Sequence, residues 1–600
     1  MNKAEIYNNY TFQTNITTKN RINNDRKEYF KRLDYIRLIS CIMIFLYHLK
    51  IIQGGFLAVC TFFVLTGYLS CTSALKNKDF SIKSYYINKL KKIYLPLIVV
   101  VSSTIIFSKI LSINWFNLKP ESFSVIFGYN NFWQLQANLD YFTRHINSPF
   151  MHLWYISILL QFELIFPIVF VILKKINEIT KKNISSIIVF ILTIFTTILF
   201  YYMSKTQNIM VVYYNTFARS FSIFWGISLA LIHHKFDNNL FRGLKKYNKS
   251  IFMFYILILI LLCFNITAEN TNYAIFMIIT TIISIRIIKY STIKKKIAEK
   301  PIKIVNFLAR SSYEIYLVQY PVIFFIQNIA INNTLKIFLI ISLTLIISCA
   351  LQLFINKKFK NKLMQMSKII IFSLVILIGF FIIIAQKDHS AEMQELEDKL
   401  DENSKIIEEK NQEFVNSKNS EDVEEQNIAI TQETNEIDEA AKALQVSNLP
   451  IVGIGDSVLL GSIDALYAKF PKGYFDGKVS RTITGAEDIL KDLINKGLLG
   501  NIVVLNLANN GDYSDYKNKE LMEILGDRKI YWMNAVGADD PQFNSRFQTF
   551  ATNYPNIHVI EWDVISKNHP EYFYPDGIHL KPEGGSAYAN AIYEAIYSDF

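Results

Sequence analysis

The sequence predicts a two-part, multi-domain chain: a polytopic α-helical membrane domain followed by an α/β/α domain with a parallel sheet. Three observations predict it. Before about Ala385 the apolar residues gather in repeated stretches of about 17–23 residues with few charges, the length that crosses a bilayer as helix. From Asp388 the composition turns acidic, with 18 Asp or Glu against 5 Lys up to Ser447. From about Leu449, short apolar runs alternate with helical patterns over roughly 150 residues, which argues for a parallel sheet covered on both faces.

The whole composition agrees. Of 600 residues, 51% are hydrophobic and 46 are Phe, high for a soluble protein. The net charge of +11 resides mainly in short loops between apolar segments, a pattern of membrane topology, so no nucleic-acid partner is expected. Cys41, Cys60, Cys71, Cys263 and Cys349 all lie in apolar segments without Cys-x-x-Cys spacing. Neither a disulfide framework nor a metal site is supported.

A polar tail, residues 1–32, carries Arg21, Arg26 and Lys27. The first apolar segment begins after Lys31-Arg32 and many others follow, so no cleavable signal is expected. About 11 spans are expected across a membrane domain of 33–387, each near bilayer length. They fall at about 35–52, 54–75, 93–112, 151–173, 185–203, 209–232, 251–267, 273–289, 312–330, 335–355 and 368–386. Alternate loops differ in Lys and Arg. The rich set includes Lys76 to Lys92, Lys174 to Lys182, Lys235 to Lys249, Lys289 to Arg310 and Lys357 to Lys368. Lys/Arg-rich loops stay cytoplasmic, which puts the N-terminus inside and, with an odd number of spans, everything after Gln386 outside. The stretch 388–447 then reads as a solvated acidic linker or stalk, because its apolar spacing does not hold over enough heptads for a coiled coil.

In 448–600 the expected strands are Ile451–Ile454, Tyr474–Val479, Ile502–Ala508, Lys529–Val536 and Ile557–Trp562. Ser462–Phe470, Ala486–Lys496 and Glu583–Tyr597 read as helices. Gly455-Asp456-Ser457-Val458 ends the first strand and places a hydroxyl at its carboxyl end, where reactive groups collect in open α/β sheets. Asp576-Gly577-Ile578-His579 supplies a carboxylate and an imidazole. A hydroxyl becomes a good nucleophile when a base takes its proton and a third group orients the base.

These blocks resemble the SGNH (GDSL-like) hydrolase and acyltransferase family. Leu507-Ala508-Asn509-Asn510-Gly511 stands where that family has its Gly-x-Asn-type block, and Asp576-x-x-His579 is the final one. The resemblance implies Ser457 as nucleophile, His579 as base and Asp576 as its orienting carboxylate. It also implies the Ser457 backbone N–H and the Asn510 amide as oxyanion donors, with Asn506 and Asn509 as neighbouring alternatives. The family's second block usually carries Gly, whereas Lys478-Val479-Ser480-Arg481 has Ser480 as the candidate third donor.

In the first span, Arg37 and His48 lie eleven residues apart. At about 100° per residue they share a helical face within roughly 20°, about 16 Å apart along the axis. An ionisable group inside a span is a functional hypothesis by default. The segment resembles the acyltransferase-3 family of membrane transacylases, which has this Arg and His spacing. The similarity extends through Gly54-Gly55-Phe56, Phe62 to Leu69, His152-Leu153-Trp154-Tyr155, Gln161-Phe162-Glu163, Arg219 to Gly226 and Ser312 to Leu317. Departures are Cys60 where an Asp often stands, Lys89, Lys91 and Lys92 in place of Arg, and Gln319 where a His is common.

The resemblance implies an acyl group, usually acetyl, passed from cytoplasmic acetyl-CoA, with His48 as catalytic base or relay and no bound cofactor. Arg37 and the Lys loops are candidates to meet CoA phosphates. Glu163 and Arg219 are buried-charge candidates, either paired with each other or part of the membrane site. The two parts together resemble peptidoglycan O-acetyltransferases of the OatA type. The expected partners are the lipid bilayer, acetyl-CoA and a cell-wall glycan, with the C6 hydroxyl of N-acetylmuramoyl residues as acceptor. Another surface polysaccharide or teichoic acid is the runner-up acceptor. An outer-domain acetyl esterase, or a transporter or sensor with a binding ectodomain, are the alternatives. The oligomeric state is not legible.

Overall fold

The structure is a computed structural model. It describes residues 33–77, 79–113, 117–136, 148–235, 248–267, 272–292, 302–327, 329, 331–386, 390–420, 439–510, 514–537 and 542–600. The tail 1–32, the basic loop residues 236–247 and 293–301, and linker residues 421–438 lie outside the described residues. The chain divides into two compact units, Met1–Gln386 and Lys387–Phe600.

The first unit is helical. Among the described residues, seven helices are long and apolar enough to cross a membrane: Gly55–Lys76, Ile82–Ile110, Met151–Thr180, Ile184–Thr206, Tyr273–Ser291, Asn333–Asn356 and Lys362–Ala385. Ser250–Asn265 and Ser312–Ile326 are shorter apolar helices. Two expected spans are interrupted. The first helix covers 33–48, and Lys50 beyond it has φ 58°. The span expected at 209–232 is two helices, Ile209–Tyr214 and Thr216–Lys235. Between them, Asn215 turns its side-chain oxygen to the N–H groups of Phe217 and Ala218, at 2.9 and 3.0 Å, and so starts the second helix. Gly67 and Gly226 let this helix cross Ala58–Lys76 backbone to backbone. A Cβ at either would sit 2.1 Å from the carbonyl of Ile223 or Val64.

The second unit is a three-layer α/β/α sandwich. Its strands are β1 (Val452–Gly455), β2 (Tyr474–Gly477), β3 (Ile502–Asn506), β4 (Lys529–Met533) and β5 (Ile557–Ile560). They form one parallel sheet in the order β2-β1-β3-β4-β5. Side chains alternate between faces, as a pleated strand requires. Val452, Ile454, Val503, Leu505, Ile530 and Trp532 pack under Ile483–Asn495, Asp515–Leu525 and Phe543–Ala551. Ile451, Val504, Tyr531 and Met533 pack under Ile463–Lys469 and Pro582–Ser598 on the other face. Expected strand and helix positions hold within a few residues. Asp515–Leu525 and Phe543–Ala551 are helices that the expected pattern lacked.

The stretch expected as a solvated stalk differs most. Ser390–Ser420 is one helix whose Leu396, Leu400 and Ile407 are buried in the core of the α/β unit. Two asparagines complete that face. Buried Asn403 donates to the Leu460 carbonyl at 2.7 Å, and Asn411 donates to the Phe475 carbonyl at 2.7 Å. Phe475 belongs to β2, the edge strand, so the Asn411 amide covers part of an otherwise open ladder. The acidic residues take the solvent side of an amphipathic helix, and the α/β unit begins near residue 390 instead of 448.

Candidate active site

In an open parallel sheet of order 2-1-3-4-5, neighbouring connections leave in opposite directions between β1 and β3, and ligands bind at the carboxyl ends there. Ser457 follows β1, Asn506 ends β3, and Asn509 and Asn510 follow it. Ser457 opens the Ser457–Gly461 helix, with Asp456 as its N-cap accepting from the Val458 N–H at 2.9 Å. A first-turn N–H has no acceptor within its own helix, so the Ser457 N–H is available to a guest anion.

The loop before Pro582–Ser598 brings in the other two groups. His579 Nε2 lies 2.8 Å from Ser457 Oγ, and His579 Nδ1 lies 2.6 Å from Asp576 Oδ2. Asp576 Oδ1 accepts the backbone N–H groups of Ile578 and His579, at 2.9 and 3.1 Å. Gly577 takes φ 72°, which lets the chain turn between the carboxylate and those N–H groups. Burial raises the Asp576 carboxyl, but the His579 ring and these N–H groups outweigh it and hold the group below its usual 3.8. Burial lowers His579, and the hydrogen bond and charge of Asp576 outweigh that, holding it above its usual 6.5. The structure thus brings Ser457, His579 and Asp576 into one connected chain.

Asp456 is the residue whose part the sequence did not disclose, although it stands in the quoted Gly-Asp-Ser. It is fully buried beside the nucleophile, and its carboxyl gathers the end of β3. Oδ1 accepts the Asn506 amide and Oδ2 the Asn510 amide, both at 3.2 Å. Burial pushes its pKa up to about 6, against the lowering pull of the Val458 N–H, the His579 charge, the Asn509 N–H and Arg481. A side-chain amide carries two N–H groups, so Asn510 has a second beside the one it gives to Asp456. Asn506 is inside the network at 1% exposure, and among the described residues the buried Asn509 Oδ1 has no partner. Of the three, Asn510 fits an oxyanion donor best.

Ser480 is exposed and has φ 60°, the left-handed conformation that glycine adopts without strain. The backbone there keeps a glycine-like path. Its side chain takes no part in the hydrogen bonds of the triad. The neighbouring Arg481 does reach the site's floor: it donates to the Gly455 carbonyl at 3.1 Å and to the Asp476 carbonyl, and pairs with the Asp476 carboxylate at 2.6 Å.

In the helical unit, Arg37 and His48 share the 33–48 helix as the spacing requires. Arg37 is partly exposed and binds Asp34 at 2.7 Å. His48 is buried, with its ring 4.9 Å from Tyr320, 5.9 Å from Tyr47 and 6.2 Å from His152 between centroids. Glu163 and Arg219 do not pair. Glu163 bonds Lys89 Nζ at 2.5 Å, Ser70 at 2.9 Å and the Tyr85 hydroxyl. Arg219 is wholly buried in an aromatic cage, with its guanidinium 4.8 Å from Tyr213, 5.4 Å from Phe63 and 5.8 Å from Trp154. Its two Nη groups lie 3.5 Å from Met277 Sδ and 3.9 Å from Cys60 Sγ. The aromatic faces and soft sulfurs take the place of a carboxylate. Charge counting alone could not have separated the two residues, because Lys89 reads in sequence as one more loop lysine.

Apolar helices of bilayer length, a buried histidine among them, and a second unit with a serine–histidine–carboxylate chain define a multi-pass membrane enzyme of acyl transfer. Residues 30–353 match the acyltransferase-3 family, described as an acyltransferase domain, and the chain belongs to that family. It is an O-acetyltransferase by class. It is 28% identical over 615 residues to the O-acetyltransferase OatA of Staphylococcus aureus strain MRSA252, covering 95% of this chain and 96% of that one. The OatA of strain NCTC 8325 gives the same figures. Among solved structures, the C-terminal catalytic domain of Streptococcus pneumoniae peptidoglycan O-acetyltransferase A with a methylsulfonyl adduct aligns at 21% identity and TM-score 0.24. That alignment covers 25% of this chain and 94% of the other.

Proposed function

We propose that the chain moves acetyl from cytoplasmic acetyl-CoA through its helical unit to Ser457, and from there to peptidoglycan. The acceptor is the C6 hydroxyl of N-acetylmuramoyl residues. The observation that carries this reading is the continuous Ser457–His579–Asp576 chain in a protein of the acyltransferase-3 family. The loop charges support an N-terminus inside and an α/β unit outside, where the cell-wall glycan lies.

The chemistry at Ser457 runs in two halves. His579 takes the hydroxyl proton as Oγ bonds the incoming acetyl carbon, and returns it to the group that leaves. Asp576 stays ionised and holds the imidazole in the tautomer that accepts from Ser457. The Ser457 N–H and the Asn510 amide meet the tetrahedral oxygen. In the second half His579 takes the proton of the sugar hydroxyl, which attacks acetyl-Ser457 and frees the serine. In the helical unit His48 is the catalytic base or relay, while Arg37 faces the donor's phosphates. The Glu163–Lys89 pair and caged Arg219 hold the surrounding helices in place.

Mass analysis of cell-wall muropeptides tests acceptor and acyl group together. Cells producing the chain should show acetyl on the muramoyl C6 oxygen, and cells producing Ser457→Ala should show none. Acetyl confined to teichoic acid or another polysaccharide moves the acceptor. Wall acetylation undiminished by Ser457→Ala rules out the serine relay.

A further inference from the structure

The sequence singled out His152 only as part of a motif, and the mechanism above gives it no task. Its ring is fully buried. Among the described residues, neither ring nitrogen makes a well-formed hydrogen bond. A buried polar group left in that condition typically costs about 1–3 kcal/mol, so a core position of this kind would be better served by Phe. The ring is nonetheless held firmly. It stacks on Tyr320 at 4.9 Å and 14°, and lies 5.2 Å from Tyr316. The Tyr316 hydroxyl donates to the His152 backbone carbonyl at 2.6 Å.

The helix it leans on has a defect at the same turn. Pro321 lies inside Ser312–Ile326 and has no N–H, so the Leu317 carbonyl loses its i+4 donor. The carbonyls of Tyr316 and Leu317 lie alongside the His152 ring. A neutral imidazole has one N–H and one lone pair. Turning the N–H to a backbone carbonyl is a common way of fixing which nitrogen stays basic. His48 is the next ring, 6.2 Å away edge-on, and both imidazoles touch Tyr320 at 4.9 Å.

We propose that His152 is a second proton-transfer residue of the helical unit, its N–H directed to the Leu317 carbonyl that Pro321 leaves open and its lone pair directed, with His48, to the accepting hydroxyl. This rests on the acyl-transfer reading. In the step, the hydroxyl oxygen bonds the acyl carbon and the carbon–sulfur bond of the thioester breaks. The hydroxyl proton is taken on the free nitrogen of an imidazole and returned from that same nitrogen to the leaving sulfur, so both rings end neutral. Pro321 acts as a positioning residue through His152.

The test uses the full chain in cells, with base-labile wall O-acetyl as the activity and membrane abundance and detergent melting as controls. His152→Gln and His152→Phe should accumulate and melt like the parent while O-acetyl falls about 10²-fold or more, the usual size of a lost acid–base group. Pro321→Ala gives Leu317 back its helical N–H, so it should melt no lower than the parent yet lose about 10-fold in O-acetyl. Parental O-acetyl in any of the three overturns the proposal, as does failure of both His152 variants to accumulate, which would make the ring structural. If the parent adds no O-acetyl, or His48→Ala retains it all, the acyl-transfer reading fails instead.

Discussion

The chain's two candidate centres both depend on histidine but finish it differently. In the α/β unit His579 has a carboxylate on one side and a hydroxyl on the other, with both ring nitrogens matched before substrate arrives. In the helical unit His48 and His152 stand among tyrosines. The buried carboxylate of Glu163 in the same unit is engaged with Lys89 and Ser70. A site at the sheet edge has water to solvate an ion pair. Among apolar helices an ion pair carries a large desolvation cost, and neutral groups that the substrate completes are favoured. The Ser457–His579–Asp576 chain is therefore preorganised around charge, and the buried pair His48 and His152 around neutral groups.

The largest effect expected in that comparison is at Asp576. Asp576→Asn should lower turnover by about 10⁴-fold, since the imidazole loses its tautomer control. The carboxylate holds His579 above its usual value, and the base works only when neutral. Activity of the α/β unit should therefore rise with pH through a limb lying above 6.5, and that limb should move to lower pH in Asp576→Asn. A pH–rate profile on an activated acetyl ester reads both changes, and an unmoved limb would detach His579 from the reaction.

Next in size is the oxyanion side. Asn510→Ala should cost about 10²–10³ in kcat with little change in KM, because the amide acts on charge that forms only in the transition state. Equal loss in Asn509→Ala with Asn510→Ala intact would reassign the donor. Smallest on catalysis is the helix before the sheet. Leu400→Ala should destabilise the α/β unit by about 2–5 kcal/mol in thermal melting while leaving kcat of the folded fraction near parental. A fragment starting at 448 should melt well below one starting at 388. Equal melting would return Ser390–Ser420 to the status of a stalk.

The triad and the sheet were legible because their signals are local: an apolar run ending in Gly-Asp-Ser, and an Asp three residues before a His. What stayed hidden depended on polar residues doing apolar work. Asn403 and Asn411 occupy the buried face of Ser390–Ser420, and a hydrophobicity pattern counts them as breaks. Asp515–Leu525 and Phe543–Ala551 bury one stripe of polar-looking segments and so show little net hydrophobicity. Asn215 splits an apolar run that length alone reads as one span. Partners across the helical unit, Lys89 for Glu163 and the aromatic cage for Arg219, are 74 residues apart in the first case and come from three segments in the second. Spacing carries no information on either.

The central claim is that the helical unit feeds Ser457. The most direct measurement is the acetylation of the Ser457 peptide by mass spectrometry, in full-length protein recovered from rapidly quenched cells, for the parent and for His48→Ala. Acetyl on Ser457 in the parent and its absence in His48→Ala is the predicted result. Equal acetylation of Ser457 in both, or wall O-acetylation proceeding with Ser457 never acetylated, would contradict the relay.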